Sequence, residues 1–132
     1  MKDLFIESLS LYDFDQTIEK LSEIILNGGW NISVTLDLQA SLKKSGIEVL
    51  PVKVIELCNP KLASQILQNS DTRIYSGMLP CKISVYEKDN GRTHLSVLNS
   101  GAFASQIGGV VENVMNEAFL QVEKFIHQVT EN

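Results

Sequence analysis

The segment CKISVYEKDNGRTHLSVLN, from Cys81 to Asn99, constrains the fold more than any other. Cys81, Ile83 and Val85 alternate with Ser84 and Tyr86. After Asn90-Gly91, Thr93, Leu95 and Val97 alternate with His94 and Ser96. Period-two alternation marks strands with one apolar and one polar face. Asn-Gly is the favoured pair for a tight hairpin turn, because both residues tolerate positive φ. Such a hairpin commits the chain to antiparallel pairing and predicts that one sheet face is covered while the other is polar.

The rest of the chain supplies partners for that hairpin. Phe5 to Tyr12 reads as a first strand. Asp13 or Asp15 caps a helix with Phe14, Ile18, Leu21 and Ile25 on one face, and Asp13 with Gln16 three residues on resembles a capping box. Asn27, Gly28 and Gly29 end it. In NISVTLDL, Ile32, Val34, Leu36 and Leu38 point one way, and Ser33, Thr35 and Asp37 the other. QASLKKSG is a short helical turn or loop. PVKVIELC is a third strand, with Pro51 at its first position. Asn59 is a good N-cap and Pro60 a good first residue for a second helix carrying Leu62, Ile66 and Leu67. NSDTRIYSGMLP is a polar connection. A long terminal helix is predicted from Ser105 to Val129, with apolar residues every three or four positions and Gly108-Gly109 weakening its first turn. The order β-α-β-β-α-β-β-α predicts a single α+β domain over residues 1–132, an antiparallel sheet with helices packed on one face.

Composition narrows the function classes. Eleven Lys and Arg against sixteen Asp and Glu leave a net charge of -5, which argues against a nucleic-acid partner. No apolar run approaches a membrane span. MKDLFIESLSLYDF carries Asp3 and Glu7 and does not read as a signal peptide, so a cytoplasmic setting is expected, in which the two cysteines are thiols rather than a structural disulfide.

The motifs together resemble a known family. ELCNP followed by a helix, MLPCKISVYEKDNGRTHLSVLN, and the preceding GGWNISVTLDLQASLKKSGIEV are similar to the domain of unknown function 302 family over about residues 12–100. The resemblance implies a β-α-β(4)-α arrangement related to TATA-box-binding-protein-like folds, with no established activity and no agreed catalytic residues. Cys58, Asn59, Pro60 and Cys81 are the positions that match.

The candidate site follows from those residues. If the third and fourth strands are neighbours, Cys58 and Cys81 lie at the same end of the sheet. Cys58 also sits beside a helix N-terminus, where the dipole favours a thiolate. Such a pair could form a reversible disulfide, carry sulfane sulfur, or hold a soft metal such as Cu(I). No zinc spacing and no Cys-x-x-Cys occur, and Cys81 shares its phase with Ile83 and Val85, which suits a core thiol. Capping alone explains Asn59-Pro60. His94 lies on the polar phase near Tyr86 or Ser84, where a histidine is usually solvated but could act as a base or ligand. Glu7, Asp37, Glu56 and Glu87 lie on strands. No nucleophile elbow or phosphate loop is present.

The leading expectation is a binding or sensing module with a small-molecule, preferably anionic, ligand near the Cys-Asn-Pro helix start. The ligand-binding candidates are Cys58, Asn59, Pro60, Cys81 and His94; no metal ligands are assigned, and catalytic residues and cofactors stay unassigned. The alternative is a thiol-based redox, sulfur-carrier or soft-metal protein using Cys58 and Cys81. The uncovered sheet face predicts a homodimer.

Overall fold

The computed structural model describes residues 4–130. Five strands form one antiparallel sheet in the order β1-β5-β4-β3-β2. They are β1 (Phe5–Leu9), β2 (Asn31–Asp37), β3 (Val52–Cys58), β4 (Cys81–Glu87) and β5 (Thr93–Leu98). The helices are α1 (Phe14–Asn27), α2 (Leu38–Lys43), α3 (Pro60–Leu67), α4 (Ser100–Ala104) and α5 (Gly109–His127), with a 3-10 segment at Ser70–Met78. The fold is α+β, as the alternation predicts, and α1 and α5 cover one sheet face.

That face carries the core. Ile55, Leu57, Ile83, Val85 and Leu95 are fully buried against α1 and α5. Each such side chain contributes about 1.5–3 kcal/mol by leaving water. Trp30 closes one end, its ring edge-on to Phe125 at 5.8 Å and its indole N–H donating to Gln121 Oε1 at 2.7 Å. A second cluster forms where Ile66 of α3 and Ala104 of α4 meet Val111, Val114 and Met115 of α5.

The hairpin forms where predicted, with a different turn. The arms pair from Ile83↔Val97 to Glu87↔Thr93. Gly91 N donates to Lys88 O, Lys88 N to Arg92 O, and Asn90 Oδ1 accepts from Arg92 N. Only Gly91 has positive φ, at 78°; Asn90 does not. The connection is therefore a three-residue loop with glycine at the left-handed position, not a two-residue turn.

Four other expectations shift. β1 stops at Leu9, because Ser10 bridges to Thr130 and Leu11 N donates to Val129 O, turning the chain toward the end of α5. On α1, Thr17 rather than Ile18 is buried, its hydroxyl bonded to Asp13 O and Ser10 Oγ at 2.6 Å each. The predicted polar connection winds into the 3-10 segment, capped by Asn69 Oδ1. The predicted terminal helix begins at Gly109 rather than Ser105, after a separate short helix, α4, because Gly108 and Gly109 take φ of 73° and 59°, which a continuous right-handed helix cannot contain.

β2 differs most. Ile32 pairs with Leu57 but Val34 with Glu56, so Ser33 is an extra residue in a bulge. The bulge reverses the phase. Ile32 turns to the core face, while Val34 and Leu36 stand on the open face, opposite Glu56 and Val54. Leu38 is no longer strand; Asp37 Oδ1 accepts from Ala40 N and starts α2 there.

Candidate functional site

The strand order brings the two cysteines to one end of the sheet. β3 neighbours β4 with Leu57 opposite Cys81, so Cys58 is one residue beyond. Both are free thiols, and both border a void of only about 10 Å³ beside Trp30, Leu62 and Met115. That is about enough for one water. Burial, and then the neighbouring Cys58, push the Cys81 thiol up from 9.0 to about 11. Cys81 therefore holds its proton at neutral pH.

Asn59 and Pro60 do at this end what their chemistry suggests. Asn59 Oδ1 accepts from Lys61 N at 3.1 Å and Leu62 N at 3.3 Å, and Ala63 N donates to Asn59 O. Pro60 has no N–H to offer. The first-turn donors of α3 are thus occupied within the chain, and the helix start presents none to an anion.

A larger open space lies next to it, around Cys81. β4 and β5 pair only as far as Ile83↔Val97, and beyond that pair the strands part. A cavity of about 380 Å³ opens there. Met115, Phe119 and Val122 of α5 supply its apolar floor, and Cys81 its inner wall. Met78 and Pro80, across the cis Leu79–Pro80 peptide, close one side. Lys82, Ser84 and Ser96 face it from the polar side of the sheet, with Phe5 and Leu98 at the edge. The volume falls in the range of small-molecule sites, about 300–1,000 Å³.

His94 does not line the cavity, although it stands two residues from Ser96 on the same sheet face. It pairs with Tyr86, five residues along β4 from Cys81. At about 3.3 Å per residue that is roughly 16 Å away. Its ring stacks on Tyr86 with centroids 6.0 Å apart, and Nδ1 lies 3.3 Å from Arg92 O. The Tyr86 hydroxyl donates to Glu7, which also receives Lys88 Nζ at 3.0 Å. The bond from Tyr86, then that from Lys88, holds Glu7 below the usual carboxylate range. Burial, then the Glu7 bond, pushes Tyr86 up to about 12. Glu7, Tyr86 and Lys88 thus already partner one another.

Of the strand carboxylates, Asp37 and Glu87 border one hollow of about 440 Å³ with Asp13 and Asp15, but Asp13 and Asp37 are engaged as helix caps. Among the described residues, no group of three or more His, Cys, Asp or Glu is placed to hold a metal ion. No helix there is long and apolar enough to cross a membrane.

The sequence reading placed its candidate residues at the Cys81 end of the sheet but gave no sign of the cavity there. Its floor comes from α5, more than thirty residues downstream, and of the floor residues only Val122 falls in the apolar repeat read along that helix, which does not say what faces it. Ser84 and Ser96 were visible as a polar phase; their register pairing shows that they flank the opening together.

A family model described as domain of unknown function DUF302 matches residues 6–131, extending through α5 and past the motif segments. The fold is shared with a solved structure described as the crystal structure of uncharacterized conserved protein DUF302 from Bacillus stearothermophilus. The TM-score is 0.85 at 18% identity, over 96% of this chain and 98% of that one. No curated protein matches.

Proposed function

The chain belongs to the family described as domain of unknown function DUF302, and within it we propose a binding module for a small, largely apolar molecule with one anionic or hydrogen-bonding end. The observation that carries this is the cavity of about 380 Å³ between the parted ends of β4 and β5. Its floor of Met115, Phe119 and Val122 suits a hydrocarbon or aromatic body. Lys82 and Ser84 offer a cation and a hydroxyl, beside a Ser96 hydroxyl shared with Tyr86, on one side only, which orients such a ligand head-outward. Cys81 acts as wall rather than reagent.

The rival reading gives Cys58 and Cys81 a thiol, sulfur-carrier or soft-metal role. It is favoured by both residues bordering one void. The protonated Cys81 argues against it at neutral pH.

The test uses 8-anilinonaphthalene-1-sulfonate, a bicyclic apolar body with one anionic end. A saturable, one-to-one fluorescence signal is expected on the folded chain. Ser96→Phe, which fills the opening from a half-buried strand position, should abolish it with the thermal melt still cooperative. Lys82→Ala should weaken it severalfold. An unchanged signal with Ser96→Phe would place the probe elsewhere and remove the basis for the proposal.

A further inference from the structure

Seven of the thirteen large hydrophobic side chains exposed among the described residues fall within residues 34–50. They include Val34, Leu36, Leu38, Leu42, Ile47 and Leu50, each between 37% and 51% exposed. α2 buries nothing, and residues 41–50 are exposed throughout. A six-residue helix with no buried side chain has little to hold it in water. This arm follows β2, which is a free edge of the sheet and pairs only with β3. Edge strands are ordinarily blunted by Lys, Pro, inward charge or a β-bulge. β2 has its bulge at Ser33; beyond it, the stretch Val34-Thr35-Leu36 has none of these and runs in regular register.

We infer that the chain assembles as a twofold dimer through the free edge of β2 and the arm that follows it. The occupant is a second copy because the edge is self-complementary. Antiparallel pairing centred on Thr35 sets Val34 opposite Leu36 of the other copy, on the open face, in both directions. Thr35 meets its own copy across the axis, a favourable cross-strand pair. The regular pairing spans Val34 to Leu36, which carry no charge, so it sets no like charges opposite each other. Charge agrees. Residues 34–50 carry Lys43 and Lys44 against Asp37 and Glu48, a net of zero, in a chain of net charge -5. A charged partner finds no field there, whereas a second copy meets no repulsion. The exposed aliphatic area, about 40% of seven large side chains, is on the order of 500 Å² per copy, roughly two-thirds of the about 800 Å² per partner in a standard interface. The paired backbone and the polar part of the arm supply the remainder. This edge is distinct from the open sheet face that the sequence suggested as an interface.

Light scattering on the purified chain at 10–100 µM tests this. The expected mass is twice 14.7 kDa. Leu36→Lys, at an exposed position, should return the monomer mass with unchanged circular dichroism. Phe5→Lys, at the opposite sheet edge, and Leu120→Lys, on α5, should leave the dimer intact. Thr35→Cys should yield an intermolecular disulfide through residue 35 under mild oxidation, because residues opposed across such an axis bring their Cα atoms to about 4.5–5.5 Å. Leu120→Cys should not crosslink. A monomeric wild type at 100 µM overturns the inference. So does a dimer broken by Phe5→Lys and not by Leu36→Lys, or a Thr35→Cys chain that stays uncrosslinked.

Discussion

Cys81 should be among the least reactive thiols a chain of this size can offer, and the size of the effect follows from its surroundings. Its side chain lies between β3 and α5, opposite Leu57, in contact with the main core. Desolvation raises its pKa from 9.0 to about 11, with Cys58 adding in the same direction. The thiolate is the nucleophile. At pH 7.5 a thiol of pKa 9.0 is roughly 3% ionised, and one near 11 roughly 0.03%. Thiolate availability alone therefore slows alkylation about a hundredfold, and limited access slows it further. The assay is a time course with iodoacetamide at pH 7.5, quenched and mapped by peptide mass spectrometry, run on the folded chain and in 8 M urea. In urea both cysteines should label at comparable rates. In the folded chain Cys81 should label at least about a hundred times more slowly than in urea, with a rate still climbing above pH 10. A folded-state rate for Cys81 within tenfold of the urea rate would refute the reasoning. It would also reopen the thiol reading of the site.

The same burial predicts a stability profile. A raised pKa means that the folded state holds the proton more tightly, so its stabilisation is complete below pH 9 and is lost as pH rises toward 11. The loss reaches roughly 2–3 kcal/mol, and Cys81→Ala should flatten that decline in urea titrations at successive pH values. Asn59→Ala removes the acceptor for Lys61 N and Leu62 N and should cost about 1 kcal/mol in chemical denaturation, with Asn59→Asp largely retaining stability. Gly28→Ala would place a methyl 2.5 Å from Phe125 Cε1, in a ring wedged against Trp30, and should cost about 1–3 kcal/mol and shift the Trp30 fluorescence.

The legible part of this fold is the part encoded by neighbours. Asp13 and Asn59 were readable as caps because a cap is a contact across two or three residues, and each accepts the predicted backbone bonds. The β4 and β5 phases were readable because alternation over a regular strand maps onto faces one for one. The cavity was not, because it is a gap. It exists where β4 and β5 stop pairing and α5 passes beneath, and no residue type marks the end of a register. Gly108 and Gly109 were visible as weak helix formers, yet the break they make needs positive φ at both, which their identity permits without demanding.

β2 shows why a correct pattern can mislead. Ile32, Val34, Leu36 and Leu38 alternate as well as any strand in the chain, and alternation says only that one face is apolar. It does not say what covers that face. One extra residue at Ser33 sends Ile32 to the core and leaves Val34 and Leu36 outside it. Had the strand been regular, all the apolar residues would have shared one face. A half-buried strand would then need no partner beyond α1. With the bulge, the same residues are at odds with water, and the arm after them adds Leu42, Ile47 and Leu50 to the exposed side. A chain that buries Trp30 to 2% and leaves none of its buried side-chain polar atoms unpaired among the described residues has little reason to tolerate this by chance. The apolar phase of β2 is better understood as written for a surface that the single chain does not contain. The free edge it decorates is one of the two edges of the sheet, with β1 at the other, and it is the one that continues into the exposed apolar arm.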